Sequence, residues 1–233
     1  MYLKETIDNF ATSSNILKLL KKYPQFNHHC VEERVPKGQE LLFGKRRDYF
    51  YLIEQGFVKY TYAGETGKNF SFFTPAGSFP FLPMYEEDIP TKSKLEALTD
   101  VTWWRIDFSF LKQTLLLEDP RNYILLHFAA RTRRELYAIA VKDRLNSKER
   151  IYFSIISLIN MGFRIETNTV ELPIFLTYES LAELSNTSKG YASKVLLELR
   201  QEKILISNKK PWIISDVKKL KDLLEADNLP KPF

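Results

Sequence analysis

Cysteine is almost missing from this chain of 233 residues, and long apolar runs are absent. The single cysteine, Cys30, excludes a disulfide framework within the chain and a cysteine-ligated iron–sulfur cluster, and it suits a reducing cytoplasm. No run of about eighteen apolar residues occurs, so no segment is predicted to span a membrane. Residues 1–5 lack the apolar core of a signal peptide. We therefore expect a cytoplasmic protein without membrane contact.

Histidine is also scarce, which argues against a metal site. Three histidines occur, and two of them adjoin the cysteine in His28-His29-Cys30. These residue types ligate metals, but adjacent residues seldom ligate one ion well, and no second cluster completes four ligands. We expect an exposed turn here and no metal. A redox-sensing role for Cys30 stays open. The residues near it in sequence that could lower its thiol pKa are Arg34 and the two histidines.

Basic residues outnumber acidic ones, with a net charge of +5 and a pI of about 9.1. This charge is compatible with nucleic acid but does not establish binding, because many basic proteins bind none. The hydrophobic fraction of 44% and charged fraction of 27% are ordinary for a folded protein. The length is sufficient for two modest domains.

From about Val31 to Ile106 the sequence has a strand-like pattern. Aromatic and β-branched runs at 49–53, 57–62 and 70–73 alternate with turns that contain glycine or proline. Short strands with such turns are typical of an antiparallel sandwich or barrel. The aromatic residues between Tyr49 and Phe81 fit a sheet core, and a hydrophobic ligand pocket is the alternative.

Helical patterns flank this region. A short first helix is predicted to end at Pro24, with four apolar residues at helical spacing: Ile16, Leu17, Leu19 and Leu20. Asp107 is expected to cap a helix over 108–117, and a long helix is predicted over Arg121–Leu145. Ser147 is expected to cap the next helix, which should end at Met161-Gly162. We place the domain boundary near Asn146.

Residues 176–206 carry the most informative pattern. Thr177 can cap a first helix, with Glu179 in its first turn and an apolar face of Leu181, Ala182 and Leu184. Residues 185–187 predict a tight turn, in which Asn186 tolerates the left-handed conformation. Thr187 or Ser188 then caps a second helix with apolar residues at Ala192, Val195, Leu196 and Leu199. Its other face offers Lys189, Gly190, Tyr191, Ser193 and Lys194, an arrangement suited to the DNA major groove.

A basic hairpin is predicted next. Apolar segments 203–206 and 211–214 flank a turn whose Lys209 and Lys210 could contact the DNA backbone, and Ser215-Asp216 should cap a last helix through Leu224. The alternative is a small helical bundle with solvated lysines. The ordered set of helix, tight turn, basic helix and basic hairpin favours DNA binding.

These residues resemble the Crp/Fnr superfamily of bacterial regulators. Residues 177–199 are similar to its signature T-x-x-x-L-A-x-L-x-x-x-S-x-x-x-x-S-[RK]-x-L-x-x-L, and landmarks of its sensor domain match at 36–38, 50–56, 75–79 and 96–101. The resemblance covers nearly the whole chain in the right order. It implies an α+β fold: a jelly-roll-like antiparallel β-roll with an N-terminal helix over 1–120, a dimerisation helix over 121–146 and a winged helix-turn-helix over 147–233.

The resemblance also implies a DNA-binding surface. Lys189, Gly190 and Lys194 fall where the family contacts bases, although Gly190 replaces an acidic residue often found there, so the operator of better-known members need not transfer. The full set expected at DNA is Thr177, Ser188, Lys189, Gly190, Tyr191, Ser193, Lys194, Lys209 and Lys210.

The sensor region departs from members that bind cyclic nucleotides. Those members carry a Gly-Glu pair for the ribose and an Arg-Ser or Arg-Thr pair for the phosphate, whereas this chain has Phe81-Leu82 and approximately Thr91-Lys92. Without arginine, a buried phosphate loses a bidentate partner; Lys92 and Lys94 could replace it, or they are solvated loop lysines. We expect no cyclic AMP binding and no cofactor, and any effector is a small molecule of unknown identity.

A coiled-coil-like seam follows the predicted long helix. Its residues recur at spacings of four and three: Leu125, Ala129, Thr132, Leu136 and Ile139. We expect a homodimer on an inverted-repeat DNA operator, with RNA polymerase as a further candidate partner. The alternative is that this stripe packs on the β-roll of its own chain.

Two other function classes compete with this interpretation. Cupin-type enzymes share the β-roll but need several inward-facing histidines and carboxylates, and the remaining histidine, His127, falls on the long helix. No nucleophile–base pair or glycine-rich phosphate loop occurs, so we expect no enzyme. A β-roll adaptor that binds a ligand or partner without DNA would show no salt-dependent affinity for duplex DNA.

Overall fold

The computed structural model describes residues 3–42, 48–63, 69–82 and 93–224, which form two compact units, one up to Arg133 and one from Arg134. In chain order the elements are α1 (Lys4–Phe10), α2 (Ser13–Leu20), α3 (Phe26–His29), β1 (Cys30–Val35), β2 (Glu40–Leu42), β3 (Tyr49–Gln55), β4 (Phe57–Ala63), β5 (Asn69–Pro75), β6 (Ser93–Ala97), β7 (Val101–Asp107), α4 (Phe108–Glu118), α5 (Tyr123–Lys142), α6 (Ser147–Ile159), β8 (Phe163–Glu166), β9 (Thr169–Glu171), α7 (Tyr178–Leu184), α8 (Lys189–Gln201), β10 (Ile213–Ile214) and α9 (Val217–Asp222). The α+β class is confirmed. The finer division at residues 120 and 146 stays a prediction.

The first unit contains two antiparallel sheets, one with the strand order β1-β7-β3 and one with the order β2-β6-β4-β5. The apolar run of β3 is buried on both faces because successive side chains point to opposite sides of a strand. Phe50 and Leu52 pack with residues of α2 and α4, while Tyr51 and Ile53 pack with residues of β4 and β6. The predicted antiparallel sandwich is therefore present. Its core includes the aromatic residues Phe50, Tyr51 and Tyr60, whereas Tyr62 is exposed.

The expected exposed turn at His28-His29-Cys30 is only partly present, because His28 is exposed but Cys30 is buried. The two histidines end α3, the ring of His29 stacks on Phe110 at 4.9 Å, and Cys30 begins β1 with 4% of its surface exposed. Burial, with a smaller effect of the Asp107 charge, raises the pKa of the Cys30 thiol to about 12. Since thiolate is the reactive form, this environment opposes a redox-sensing role. The strand was missed because β1 buries only its two ends and lacks apolar alternation.

The long helix α5 is shorter than predicted. Its first turn is capped by the buried carboxylate of Asp119, which accepts hydrogen bonds from the backbone N–H groups of Tyr123 and Ile124 at 2.9 Å each. Ile124 and Leu125 pack on the helical side of the β-roll core. Leu136, two turns before the helix ends, is 59% exposed. The N-terminal part of the predicted seam therefore contacts its own chain, and Leu136 is left at the surface.

The second unit consists of α6 to α9 and the small antiparallel sheet β10-β9-β8. The cap of α6 is Asn146 and not Ser147. The Asn146 side chain accepts from the N–H groups of Lys148 and Glu149, and the Glu149 side chain accepts from the Asn146 N–H, which completes a capping box. The helix ends at Ile159, before the predicted Met161-Gly162, and Gly162 does not have the positive φ of a C-terminal glycine cap. A Cβ there would lie 2.3 Å from the Glu171 carbonyl oxygen, so glycine permits the close approach of β9. The last helix ends at Asp222, before the predicted Leu224.

In the described part of the chain, no helix is both long and apolar enough to cross a membrane.

Candidate nucleic-acid interface

The first helix of the predicted helix-turn-helix motif is α7. The Thr177 hydroxyl accepts from the Ser180 N–H at 3.0 Å, and the Ser180 hydroxyl accepts from the Thr177 N–H at 2.8 Å, which closes a reciprocal cap. Thr177 is thus a structural cap whose own backbone N–H is already bonded. Leu181 and Ala182 are buried, and Glu179 is exposed in the first turn. The cap fixes where α7 begins and hence where Glu179 lies.

A tight turn at 185–187 joins α7 to α8. Asn186 has a φ of 49°, the left-handed conformation expected from its residue type, and the Thr187 N–H donates to the Ala182 carbonyl at 2.9 Å. Two cations hold the carbonyl oxygens of this turn. Arg150 donates from Nε to Ser185 at 2.9 Å and from Nη2 to Asn186 at 3.3 Å, and Lys142 donates to Leu184 at 2.9 Å. The turn is therefore anchored from both α5 and α6.

The second helix, α8, begins at a Ser188 cap rather than a Thr187 cap, since the Ser188 hydroxyl accepts from the Tyr191 N–H at 3.2 Å. Its four predicted apolar residues are all buried: Ala192, Val195, Leu196 and Leu199. An ion pair also orients α8, because Lys148 of α6 contacts Glu198 at 2.8 Å. This hydrogen bond raises the pKa of Lys148 and lowers the pKa of Glu198. Because its sequence pattern predicts that α8 enters the major groove of DNA, we call α8 the recognition helix.

The exposed face of the recognition helix carries the residues predicted for base contact. Lys189, Gly190, Ser193 and Lys194 are exposed and Tyr191 is half-buried, all within the first two turns. Ammonium and hydroxyl donors at these positions can bond guanine O6 and N7 or phosphate oxygens. A Cβ built on Gly190 meets nothing within 4 Å, so the glycine leaves an open spot on this surface. Lys189 forms an ion pair with Glu179 of α7.

The predicted hairpin wing is only partly formed. Leu205 and Ile214 form a bridge, the Ile206 N–H donates to the Ile213 carbonyl at 3.0 Å, and the Ser215 N–H donates to the Ile204 carbonyl at 2.9 Å, while β10 also pairs with β9. Strand pairing stops because the Ser207 hydroxyl accepts the Ile213 N–H at 2.9 Å and Pro211 has no N–H to donate. Lys209 and Lys210 are exposed in the resulting loop, 207–210.

Residues missed in the sequence hold the interface together. Besides Lys142 and Arg150, Arg200 donates from Nε to the Ser207 carbonyl at 3.2 Å and from Nη2 to the Tyr178 hydroxyl at 3.1 Å. Arg200 thereby links the recognition helix to α7 and to the loop that carries Lys209. These arginines and lysine bond to backbone oxygens or a phenol rather than to carboxylates, so no charge pattern in the sequence could reveal them.

The two residues that the sequence resemblance aligns with the ribose-binding pair, Phe81 and Leu82, carry packed apolar side chains. The Phe81 ring stacks on Tyr60 with ring centroids 6.0 Å apart, and Leu82 is buried in the core. Burial raises the pKa of Tyr60 to about 12, which keeps its hydroxyl neutral. Lys94 pairs with Glu40 at 2.6 Å. Thr91 and Lys92 lie outside the described residues.

Among the described residues, no group of three or more His, Cys, Asp or Glu side chains could hold a metal ion. His127 lies on α5, as its place in the predicted long helix implied, where Nδ1 contacts the Asp8 carboxylate at 3.1 Å.

Comparison with known proteins finds a transcription regulator of similar sequence and several similar solved structures, although no protein-family profile matches the chain. HTH-type transcriptional regulator ArcR from Staphylococcus epidermidis is 22% identical over 194 residues, which are 82% of this chain and 84% of that regulator. A cyclic nucleotide-binding domain containing protein from Listeria monocytogenes has a TM-score of 0.73 at 22% identity, covering 88% of this chain and 98% of its own.

Two further solved structures agree. A mutant of CooA from Carboxydothermus hydrogenoformans has a TM-score of 0.71 at 19% identity, over 91% of this chain and 97% of its own. A CRP/FNR-family transcriptional regulator from Thermus thermophilus has a TM-score of 0.63 at 19% identity, over 84% of this chain and 99% of its own. The chain has the fold of Crp/Fnr regulators, which confirms the α+β fold class that the sequence resemblance implied. The dimerisation role of α5 and the winged form of the second unit stay predictions.

Proposed function

We propose that this protein is a cytoplasmic, sequence-specific DNA-binding transcription regulator of the Crp/Fnr type, and not an enzyme. The observation that carries the proposal is the two-sided recognition helix. Its buried face packs under α6 and α7, and its opposite face exposes Lys189, Ser193 and Lys194 in the first two turns. A helix that lies in the major groove contacts base edges with this N-terminal part. The exposed Lys209 and Lys210 are proposed to contact phosphates.

The protein acts on DNA as a homodimer in this proposal. An exposed leucine at position 136, with Thr132 and Ile139 half-buried beside it on α5, supports a helix-to-helix contact between two copies. A two-fold dimer requires an inverted repeat whose half-sites lie about one helical turn apart, roughly 10 bp centre to centre. RNA polymerase is a candidate partner of the bound dimer.

Cyclic AMP and cyclic GMP are not the effectors in this proposal, because Phe81 and Leu82 offer the ribose no carboxylate. A ligand that binds the native state raises apparent stability by about 2.7 kcal/mol at a hundred times its dissociation constant. We therefore expect no change of melting temperature with millimolar cyclic nucleotide in a thermal-shift assay. A clear rise would contradict this assignment.

Selection of duplexes from a random pool by the purified full-length protein tests the proposed function. We expect enrichment of an inverted repeat, with affinity that falls as salt concentration rises because lysines displace counterions from phosphates. If no sequence is enriched and the protein has no salt-dependent affinity for duplex DNA, the adaptor interpretation replaces the regulator.

A further inference from the structure

The ion pair between Lys189 and Glu179 joins the two helices of the motif at their N-terminal ends. Lys189 is the first residue of α8, and Glu179 lies in the first turn of α7. The Lys189 Nζ atom contacts the Glu179 Oε1 atom, with 63% and 61% of the respective side chains exposed. The hydrogen bond from Lys189 is the largest of several effects that lower the pKa of Glu179. Glu179 is therefore an anion at neutral pH, beside a lysine assigned to DNA.

The position of this carboxylate matters because of how such motifs bind DNA. When the second helix lies in the major groove, the first helix crosses the sugar–phosphate backbone. A carboxylate in the first turn of α7 then faces phosphates and is repelled by them. A lysine that is neutralised by this carboxylate also attracts phosphates less than a solvated lysine does. The pair therefore weakens the sequence-independent part of DNA binding.

We propose that Glu179 is a specificity-determining residue. Its carboxylate keeps Lys189 from binding the phosphates of non-target DNA, and in the target site Lys189 leaves the carboxylate to bind a base edge. The proposal rests on the function proposed above. Guanine O6 and N7 offer the lysine two acceptors, and such a contact changes affinity by about five- to 150-fold. An exposed ion pair changes an equilibrium by at most about fivefold. The base contact can therefore displace the carboxylate.

The test uses the full-length protein with the selected duplex and a scrambled duplex, across a salt series. Glu179→Gln removes the charge and keeps the side-chain shape. Glu183→Gln is the matched control, because it removes the same charge one turn later on the same helix. Both changes are also made in the Lys189→Ala background, and circular dichroism confirms folding.

We expect Glu179→Gln to raise affinity for the scrambled duplex about two- to fivefold, and to steepen the salt dependence by about one counterion. Affinity for the selected duplex should change less, so the specificity ratio falls. In the Lys189→Ala background the effect of Glu179→Gln should shrink to that of Glu183→Gln.

The following results would overturn the proposal. An unchanged specificity ratio in Glu179→Gln, with a wild type that still prefers the selected duplex, defeats this inference alone. If Glu183→Gln raises affinity for the scrambled duplex as much as Glu179→Gln does, the effect is general charge repulsion. The same holds if Glu179→Gln has an undiminished effect in the Lys189→Ala background. Loss of preference at a further base pair when Glu179→Gln is added to Lys189→Ala would show that Glu179 itself accepts from a base. If the wild type prefers no duplex, the proposed function fails as well.

Discussion

At the scale of single residues, the helix-turn-helix turn is held by cations on backbone carbonyl oxygens. Lys142 lies near the end of α5, and its ammonium donates to Leu184, the last residue of α7. Burial lowers the pKa of Lys142 from 10.5 to about 8. A buried ammonium with one carbonyl partner loses much of its hydration, so this residue connects α5 to the recognition motif at a cost in stability.

The cost of burying the Lys142 ammonium should appear in the pH dependence of the free energy of unfolding. Between about pH 8 and 10.5 the unfolded chain binds more protons at Lys142 than the folded chain does. The free energy of unfolding therefore rises with pH across this window, and the penalty is fully present below it. Lys142→Met should flatten the slope by up to about 1.4 kcal/mol per pH unit, measured by urea denaturation.

A matched control is Lys142→Arg, which keeps a donor but does not titrate in this window. It should flatten the slope in the same way. Equal slopes in the wild type and both variants would show that Lys142 is hydrated in the folded protein.

The sequence predicts residue exposure well here and residue partners poorly. The i, i+3, i+4, i+7 spacing of α8 was enough to assign its buried face and hence the exposure of Lys189 and Lys194. Two of the partners of Arg150 lie 35 and 36 residues away along the chain. Such contacts depend on how α6 packs against the turn, which local spacing does not encode.

At the scale of elements, caps decide where helices begin. The sequence placed the cap of α6 at Ser147, one residue too late, because both Asn and Ser are good caps. The structure selects Asn146, since Glu149 at the third helical position can bond back to the Asn146 N–H at 2.8 Å. The capping-box pattern was present in the sequence as Asn146 and Glu149.

Asn146→Ala should lower the free energy of unfolding by about 0.5–2 kcal/mol, because two N–H groups lose their acceptor. Ser147→Ala, the neighbouring control, should cost less than half as much, since its hydroxyl only accepts from Arg150 at 3.1 Å. Denaturant unfolding of both variants gives the comparison. A larger loss of unfolding free energy in Ser147→Ala than in Asn146→Ala would show that Ser147 caps α6, as expected from the sequence.

Strands were harder to predict than helices in the second unit. Every residue of β8 is exposed, including Phe163 at 71%, so no alternation of buried and exposed positions marks it as a strand. The predicted pairing of segments 203–206 and 211–214 is present between residues 204–206 and 213–215, but only Ile213–Ile214 forms a regular strand. Apolar runs this short do not show where regular strand pairing begins and ends.

At the scale of the whole molecule, α5 begins in the first compact unit and ends in the second. The proposed dimer seam lies on this helix, and Leu136 is its most exposed member. Leu136→Asp should weaken the dimer by about tenfold or more, because a carboxylate in an apolar contact costs over about 1.4 kcal/mol.

Leu117→Asp is the control, since Leu117 on α4 is 69% exposed and lies outside the proposed seam. It should leave the dimer intact. Sedimentation at micromolar concentration measures both variants. A Leu136→Asp variant that stays dimeric would show that the dimer interface does not lie on α5. A wild type that sediments only as a monomer would show that the proposed homodimer does not form.

The most direct test of the central claim is the binding of Lys189→Ala and Lys194→Ala to selected and scrambled duplexes across a salt series. The account predicts that each variant loses about 1–3 kcal/mol on the selected duplex and relaxes specificity at one position of each half-site. Lys209→Ala and Lys210→Ala should instead weaken both duplexes equally and reduce the salt slope by about one. If Lys189→Ala and Lys194→Ala bind both duplexes as the wild type does, α8 is not the recognition helix.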